Sequence, residues 1–514
     1  VIIEGRLDSG IVKQINASQD GHLETEIHGP LSAFGEMIVT NQTPVFQHDF
    51  AYNYINPELG IANSYGSASV TASNQMLNCT TGASASSLAS WRPRRIMRYR
   101  PGQGALMRFT AIYDTATTGN TQLVGFSSGE SGLFFGSVDT SRGVFRTYGG
   151  VREIQTLTIG TKSSNSQNAT VTLGGVAYTV PVTNGANTAA TAAEIAAFDY
   201  SGSAPGWTAS QLGSTVRFVC LVAGNQTGTF SVSFPTSGAG SFVETVAGVA
   251  SSFDAIPQAS WNVDICDGRG GLTNPSNINL DWTKGNVFYI RWQYLGFGVI
   301  EFGIEEAATG ELVPVHRIQY PNANTTVSLT QPGGFFTASC RNTTNNTALT
   351  VKVGSCAGFI EGIIKRLGVQ RSKTTTLASV GTSFTPILSL RGGHVYQNRI
   401  NMGEVHILGI SVSNNSTNRS VEYQILEQAV LNNSTNWASE SVNTSIVDSD
   451  TGATSYTNGT PKFGGVVGPN GSISEMFGDG HALTLEGNNW ITIVAKALAG
   501  TADVSVGIHW VEDH

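Results

Sequence analysis

The sequence predicts an all-β, multidomain chain: a β-sandwich carrying a small inserted ββαβββ domain, followed by a C-terminal β-sandwich or jelly-roll domain. Three observations predict it. Short apolar alternations recur about every ten residues, with Gly, Ser or Asn turns between them. Sixty of the 514 residues are Gly and only 12% are charged, against about 25% in an ordinary soluble chain. Only one stretch, rich in Ala, has the character of a helix.

The elements follow in order. Residues 1–40 read as an N-terminal arm for assembly or anchoring; within it, residues 22–28 alternate with His22, Glu24, Glu26 and His28 on one face of a strand. Residues 91–100 alternate too, placing Arg92, Arg94, Arg98 and Arg100 together around Ile96. Strands at 106–113, 121–126, 133–137 and 143–148 begin the first sandwich, which spans 41–152 plus 253–371 and is classed as lectin-like (concanavalin-type). Between them lies an insert, 153–252. It opens with a hairpin, 169–173 and 176–182, turning on Gly174-Gly175. The helix, 188–198, is capped in this reading by Thr188. Strands near 216–222, 229–234 and 242–246 complete the insert. The sandwich resumes with 286–294, 299–304, 312–320 and 349–364. A Ser/Thr-rich joint at 372–383 then leads into the C-terminal sandwich, 372–514. Its last strand carries Val504, Val506, Ile508 and Trp510 on one face, and 490–495 is expected to pair nearby.

Composition excludes several functions. The net charge is −8, which argues against a nucleic-acid partner because such proteins carry a basic surplus. No uncharged apolar run approaches the ~18 residues of a membrane span, so no membrane insertion is expected. Of 28 basic residues, eight are Lys and twenty Arg, a balance suited to packing against copies of the same chain. The chain starts at Val1 with no basic-then-apolar leader, so a processed N-terminus or a fragment is expected.

Candidate chemistry is sparse. Residues 125–129 (Gly-Phe-Ser-Ser-Gly) match the nucleophile-elbow pattern, but a strand follows where that mechanism needs a helix. Glu301, Glu305 and Glu306 end an apolar strand, and Glu301 and Glu305 stand about 13 Å apart by strand rise, too far for a retaining glycosidase pair. Residues 448–452 start like a calcium loop but lack its acidic closer, since position twelve is Gly459. Asp264 and Asp267 could hold a cation or simply make an Asp-Gly turn. The arginine face is read as a salt-bridged sheet or subunit interface, with Glu24 and Glu26 as candidate partners. No catalytic residue, cofactor or metal is assigned.

The five cysteines are too scattered for a disulfide framework or a metal site. Cys340 and Cys356 fall at the ends of one expected hairpin and could form a disulfide; free buried thiols are the other reading. Trp91, Trp282 and Trp292, beside Asn and Asp loops, are candidate glycan contacts, with core packing as the alternative. Sixteen Asn-x-Ser/Thr sequons occur, and half cluster between 414 and 470. Asn414, Asn418, Asn433, Asn443, Asn458 and Asn470 are therefore candidate N-glycosylation sites, unless Asn-rich turns generate the motif unaided.

Several strings point further. They include residues 21–24 (Gly-His-Leu-Glu), 30–35 (Pro-Leu-Ser-Ala-Phe-Gly), 99–104 (Tyr-Arg-Pro-Gly-Gln-Gly), 256–258 (Ile-Pro-Gln), 293–298 (Gln-Tyr-Leu-Gly-Phe-Gly) and 357–362 (Ala-Gly-Phe-Ile-Glu-Gly). With them, residues 20–370 resemble large β-rich structural proteins of large double-stranded DNA viruses and tailed phages, seen as fibre, capsid-associated or surface components. The insert is similar to small modules of phage tail and baseplate proteins. The resemblance implies fold and family and transfers no active site.

Together these readings predict a non-enzymatic virion structural protein: a fibre, spike or capsid-decorating component at the virion surface or in an extracellular setting. Its expected partners are itself, as a homotrimer, other virion proteins and host glycans. The alternatives are a carbohydrate-binding adhesin and a secreted polysaccharide hydrolase.

Overall fold

The computed structural model describes residues 4–6, 12–14, 42–203, 205–362, 368–432, 435–477, 483–486 and 489–513. The arm predicted for residues 1–40, with its strand at 22–28, lies outside them apart from the antiparallel pair Glu4–Arg6 and Val12–Gln14. The chain is all-β, with the helix Thr188–Ala197 and the short 3-10 turn Gln258–Ser260 as the only helical segments among the described residues. Among the described residues no helix is long and apolar enough to cross a membrane.

Two large antiparallel sheets face each other first. One has seven strands, ordered Ser252–Pro257, Ser141–Tyr148, Gly132–Val138, Asn120–Ser127, Phe335–Asn342, Leu88–Pro93 and Gly60–Tyr65. The other has nine and is organised around Ala105–Tyr113, which pairs with Asn286–Trp292, Thr350–Val353 and Ser355–Glu361. The alternation that predicted these strands is the inward face of each. Phe109, Phe126, Phe135, Phe288 and Phe302 are buried between the sheets. Phe135 and Phe288 lie 4.7 Å apart by ring centroid, within the range at which aromatic pairs attract beyond simple burial.

Gly174 and Gly175 do make the predicted two-residue hairpin turn, with φ of 58° and 84°. That doubly left-handed backbone is the one a type I′ turn requires and only glycine adopts freely. The insert holds two more strands than the sequence suggested, Arg152–Thr161 and Trp207–Leu212. Both lie in a four-stranded sheet with Thr215–Ala223 and Ala239–Val246, opposite a three-stranded sheet built on the hairpin. The helix buries Ile195 and Ala192 against a core of its own, with Trp207, Phe218 and Tyr200. Its cap is Asn187, whose side chain accepts the Ala190 N–H at 2.9 Å, rather than Thr188.

The last body packs a five-stranded sheet on a six-stranded one over a third core. Val504, Val506, Ile508 and Trp510 are buried there. Residues Trp490–Ala497, expected to pair near this final strand, pair with Thr385–Gly392 and Val421–Glu427 in the six-stranded sheet on the other side of the core. The Ser/Thr-rich joint is also a strand, Val369–Val380, paired along most of its length with Ala502–Asp513. Its β-branched threonines suit an extended, half-exposed edge. The arginine alternation is interrupted as well. Its strand stops at Pro93, because proline cannot donate to the ladder, so Arg98 and Arg100 leave on an irregular segment.

The insert's ends are adjacent. Tyr148 pairs with Ser252 across two neighbouring strands, and Val151 N–H donates to Val249 O at 2.9 Å. Removing residues 151–251 therefore leaves Gly149-Gly150 as a two-residue hairpin turn between Tyr148 and Ser252, a favoured connection. This deletion is expected to retain the seven-stranded sheet, with near-native circular dichroism and cooperative urea unfolding; loss of cooperative unfolding would show that the sandwich needs the insert to fold.

Candidate functional site

The arginines the sequence singled out find their partners more than 300 residues away. Arg98 pairs with Asp513, and Arg100 reaches Asp513 at 2.8 Å and Glu404 at 3.5 Å. All four side chains are at most 15% exposed. Glu404 and Asp513 lie opposite each other on paired strands of the C-terminal body. The node therefore joins the two sandwiches. His406 lies 3.3 Å from Glu404 and accepts or donates to the Thr484 hydroxyl at 3.2 Å. Glu404, His406 and Asp513 are close enough to share a metal ion. Two guanidiniums already compensate the carboxylates, so a divalent cation would have to displace a matched pair, and we assign none. The proposed partners Glu24 and Glu26 lie outside the described residues.

A second joint ties the insert to the C-terminal body. Arg391 is buried, binds Asp448 at 3.0 Å, donates to Gln211 O and lies 4.4 Å over the Trp437 ring. Gln211 in turn accepts the Trp437 N–H at 3.3 Å. Where the three bodies meet, a cavity of about 1070 Å³ opens, lined by residues from all of them, among them Leu59, Arg95, Arg152, Thr208, His394 and Trp490.

The carboxylates considered for chemistry are committed elsewhere. Glu301 sits between Arg291 and Arg317, each at 2.7 Å, and accepts the Tyr289 hydroxyl at 2.9 Å. Gly303 makes room for that tyrosine, since a Cβ there would lie 2.1 Å from its ring. Asp264 is fully buried and caps a turn, accepting the Cys266 and Ser276 N–H groups at 2.9 Å. Asp267 accepts the Arg269 N–H and the Asn274 amide. Asp450 takes backbone N–H groups from Asn436, Gly452 and Ala453; burial nonetheless keeps its carboxyl above its ordinary value. In the elbow-like turn, Ser127 and Ser128 accept backbone N–H groups of the turn itself.

One carboxylate pair does meet on the cavity wall: Glu58 and Glu427 share Lys462 Nζ at 3.2 and 2.9 Å. Burial would raise the Glu427 carboxyl, but the Asn489 and Lys462 hydrogen bonds and the Arg94 charge outweigh it and hold it below its ordinary value. A glycosidase acid needs the opposite shift.

Other expectations are corrected. Trp91, Trp282 and Trp292 are at most 5% exposed and belong to the sandwich core. Trp91 packs edge-on to Phe50, Trp282 stacks on Phe288 and Trp292 lies against Phe126. Trp91 and Trp292 face inward from their strands and Trp282 from the turn before Asn286–Trp292, so no glycan can stack on them. Cys340 and Cys356 are free thiols on opposite sheets, not the ends of one hairpin. Burial pushes Cys340 up to about 12 and Cys356 well above its ordinary value, so both are inert as nucleophiles. Among the sequons, Asn414 is buried and donates to the Arg419, Val467 and Gly468 carbonyls, which closes it to modification. Asn418, Asn443, Asn458 and Asn470 are exposed, and Asn433 lies outside the described residues.

No family model and no curated protein matches the chain. Solved structures similar to it include the carbohydrate recognition domain of Emp47p (TM-score 0.23, 8% identity, covering 63% of this chain and 97% of that one). The lectin from Bauhinia forficata in complex with GalNAc is similar at TM-score 0.21 and 8% identity, over 63% of this chain and 99% of its own. The triple jelly roll protein of an archaeal virus aligns over 93% of this chain and 98% of that chain, at TM-score 0.17 and 6% identity. None of these likenesses assigns a family or an activity.

Two expectations follow from the site. Arg100→Ala leaves Asp513 and Glu404 short of a buried counter-charge and should lower stability by about 3 kcal/mol in urea unfolding. Asp513→Asn on that background should recover part of the loss, and an unchanged midpoint in Arg100→Ala would show that the node is idle. The second expectation concerns pH. Burial depresses His316 to about 4 from 6.5, and its Nδ1 accepts the Asn262 N–H. Between those values the unfolded chain binds the proton and the folded chain does not, so this contribution to stability falls as pH falls from 6.5 toward 4. The slope between pH 6.5 and 5 should be shallower in His316→Asn.

Proposed function

We propose that the chain is a non-enzymatic structural protein of a virion: a fibre, spike or capsid-decorating component, exposed at the virion surface or outside the cell, that assembles as a homo-oligomer. The observation that carries this reading is the use made of the buried carboxylates. Glu301, Glu404, Asp448 and Asp513 are all matched to arginines, two of them, Glu404 and Asp513, across the joint between the sandwiches. Such charges hold rigid parts in register. The resemblance of residues 20–370 to virion structural proteins supports the same conclusion.

Self-association is supported by the edge strand Thr460–Val467. Among the described residues it has one neighbour, Val421–Glu427, and leaves Phe463 and Val466 exposed at 37% and 59%. An open edge with apolar side chains is a ready template for pairing with another chain. Native mass spectrometry of the full chain should give a trimer at micromolar concentration. A monomer throughout that range would refute the assembly proposed here.

The carbohydrate-binding reading has one specific observation in its favour. Tyr52 and Tyr54 stand 92% and 62% exposed beside Asn53, in the turn after Gln42–Asp49. They, unlike the buried tryptophans, are exposed enough to stack on a sugar.

A further inference from the structure

The cavity where the three bodies meet is more basic than the chain around it. Arg92, Arg94, Arg95 and Arg152 line it against two carboxylates, Glu58 and Glu427, in a chain of net charge −8. Those two carboxylates share Lys462, so the acidic side of the wall is already compensated. Arg152 lies across Gly129, where any Cβ would collide with its guanidinium. Its Nη2 donates to Ser128 O at 3.1 Å, and its Nε is buried without a hydrogen-bond partner. Glu130, whose charge acts on this guanidinium, accepts the Arg152 backbone N–H at 3.5 Å. Beside it, His394 Nε2 meets the Thr208 hydroxyl at 3.1 Å and leaves a buried Nδ1 unpartnered.

We propose that this cavity binds an organic ligand bearing an oxyanion, a sulfate or phosphate ester, received by Arg152 and Arg95 with His394 as a further polar contact. Guanidiniums match such groups with paired N–H donors. The volume far exceeds that of an inorganic ion and is large enough for a small organic molecule. Leu59, Ile61 and Trp490 on the same wall offer apolar surface for the rest of the ligand. The histidine reports the field. Burial first, and then the charges of Arg391, Arg152, Arg92 and Arg217, hold His394 down to about 3. An anion seated among those groups would oppose that field and raise it.

The test is calorimetric titration of the full chain with a sulfated heparin hexasaccharide, with inositol hexakisphosphate and with inorganic sulfate at matched ionic strength, joined to an NMR titration of His394. One or both organic probes should bind, and the complex should protonate His394 at higher pH than the free chain. Affinity should fall about tenfold in Arg95→Gln and further in Arg152→Gln. Arg95 is exposed, so its variant remains informative even where Arg152→Gln fails to fold. Binding of inorganic sulfate alone would overturn the organic-ligand assignment. Absence of heat with all three probes, or binding unchanged in Arg95→Gln with His394 unmoved, would overturn the site.

Discussion

Two arginines from one sandwich and two carboxylates from another, buried together, fix how this chain is arranged. Arg98 and Arg100 cannot leave water unpaired, and neither can Glu404 and Asp513. Desolvating each ion costs several kcal/mol, and only matched geometry returns it. The node therefore adds little net stability relative to an apolar contact. What it does supply is discrimination, because a sandwich docked a few ångströms away would strand four charges. Between the insert and the C-terminal body the contact is a hydrogen bond instead: Arg391, paired with Asp448 inside the C-terminal body, donates to Gln211 O, and Trp437 closes around it.

The most suggestive acidic residues are likewise committed to structural partners. A general acid or base needs a carboxyl whose proton is poised to move. Glu301 is held between two guanidiniums, Asp264 and Asp450 cap backbone turns, and Glu427 is kept below its ordinary value by its neighbours. The chemistry left open is positive. Once three bodies are locked together, the space between them is a defined cavity, and its wall carries more arginine than acid.

Much of the fold was legible in the sequence because period-2 alternation and glycine turns are local signals. Residues 105–113, 132–138 and 286–292 were recognisable for that reason, as was the Gly174-Gly175 hairpin. Arg152–Thr161 and Trp207–Leu212 were missed because their burial alternates imperfectly and polar residues such as Gln155 and Gln211 point inward. The tryptophans misled because an aromatic beside a polar loop reads alike whether it faces in or out. For the site, the arginine concentration near residue 98 was visible and its meaning was not. Its partners are about 300 to 415 residues away, and nothing local to Glu404 or Asp513 marks them as counter-charges.

The buried contacts between the bodies, with the node of Arg98, Arg100, Glu404 and Asp513 foremost, should make the three one cooperative unit. Differential scanning calorimetry of the full chain should then show a single transition whose calorimetric and van't Hoff enthalpies agree. Separate transitions, with the segment 368–514 melting at the same temperature alone as within the full chain, would contradict it.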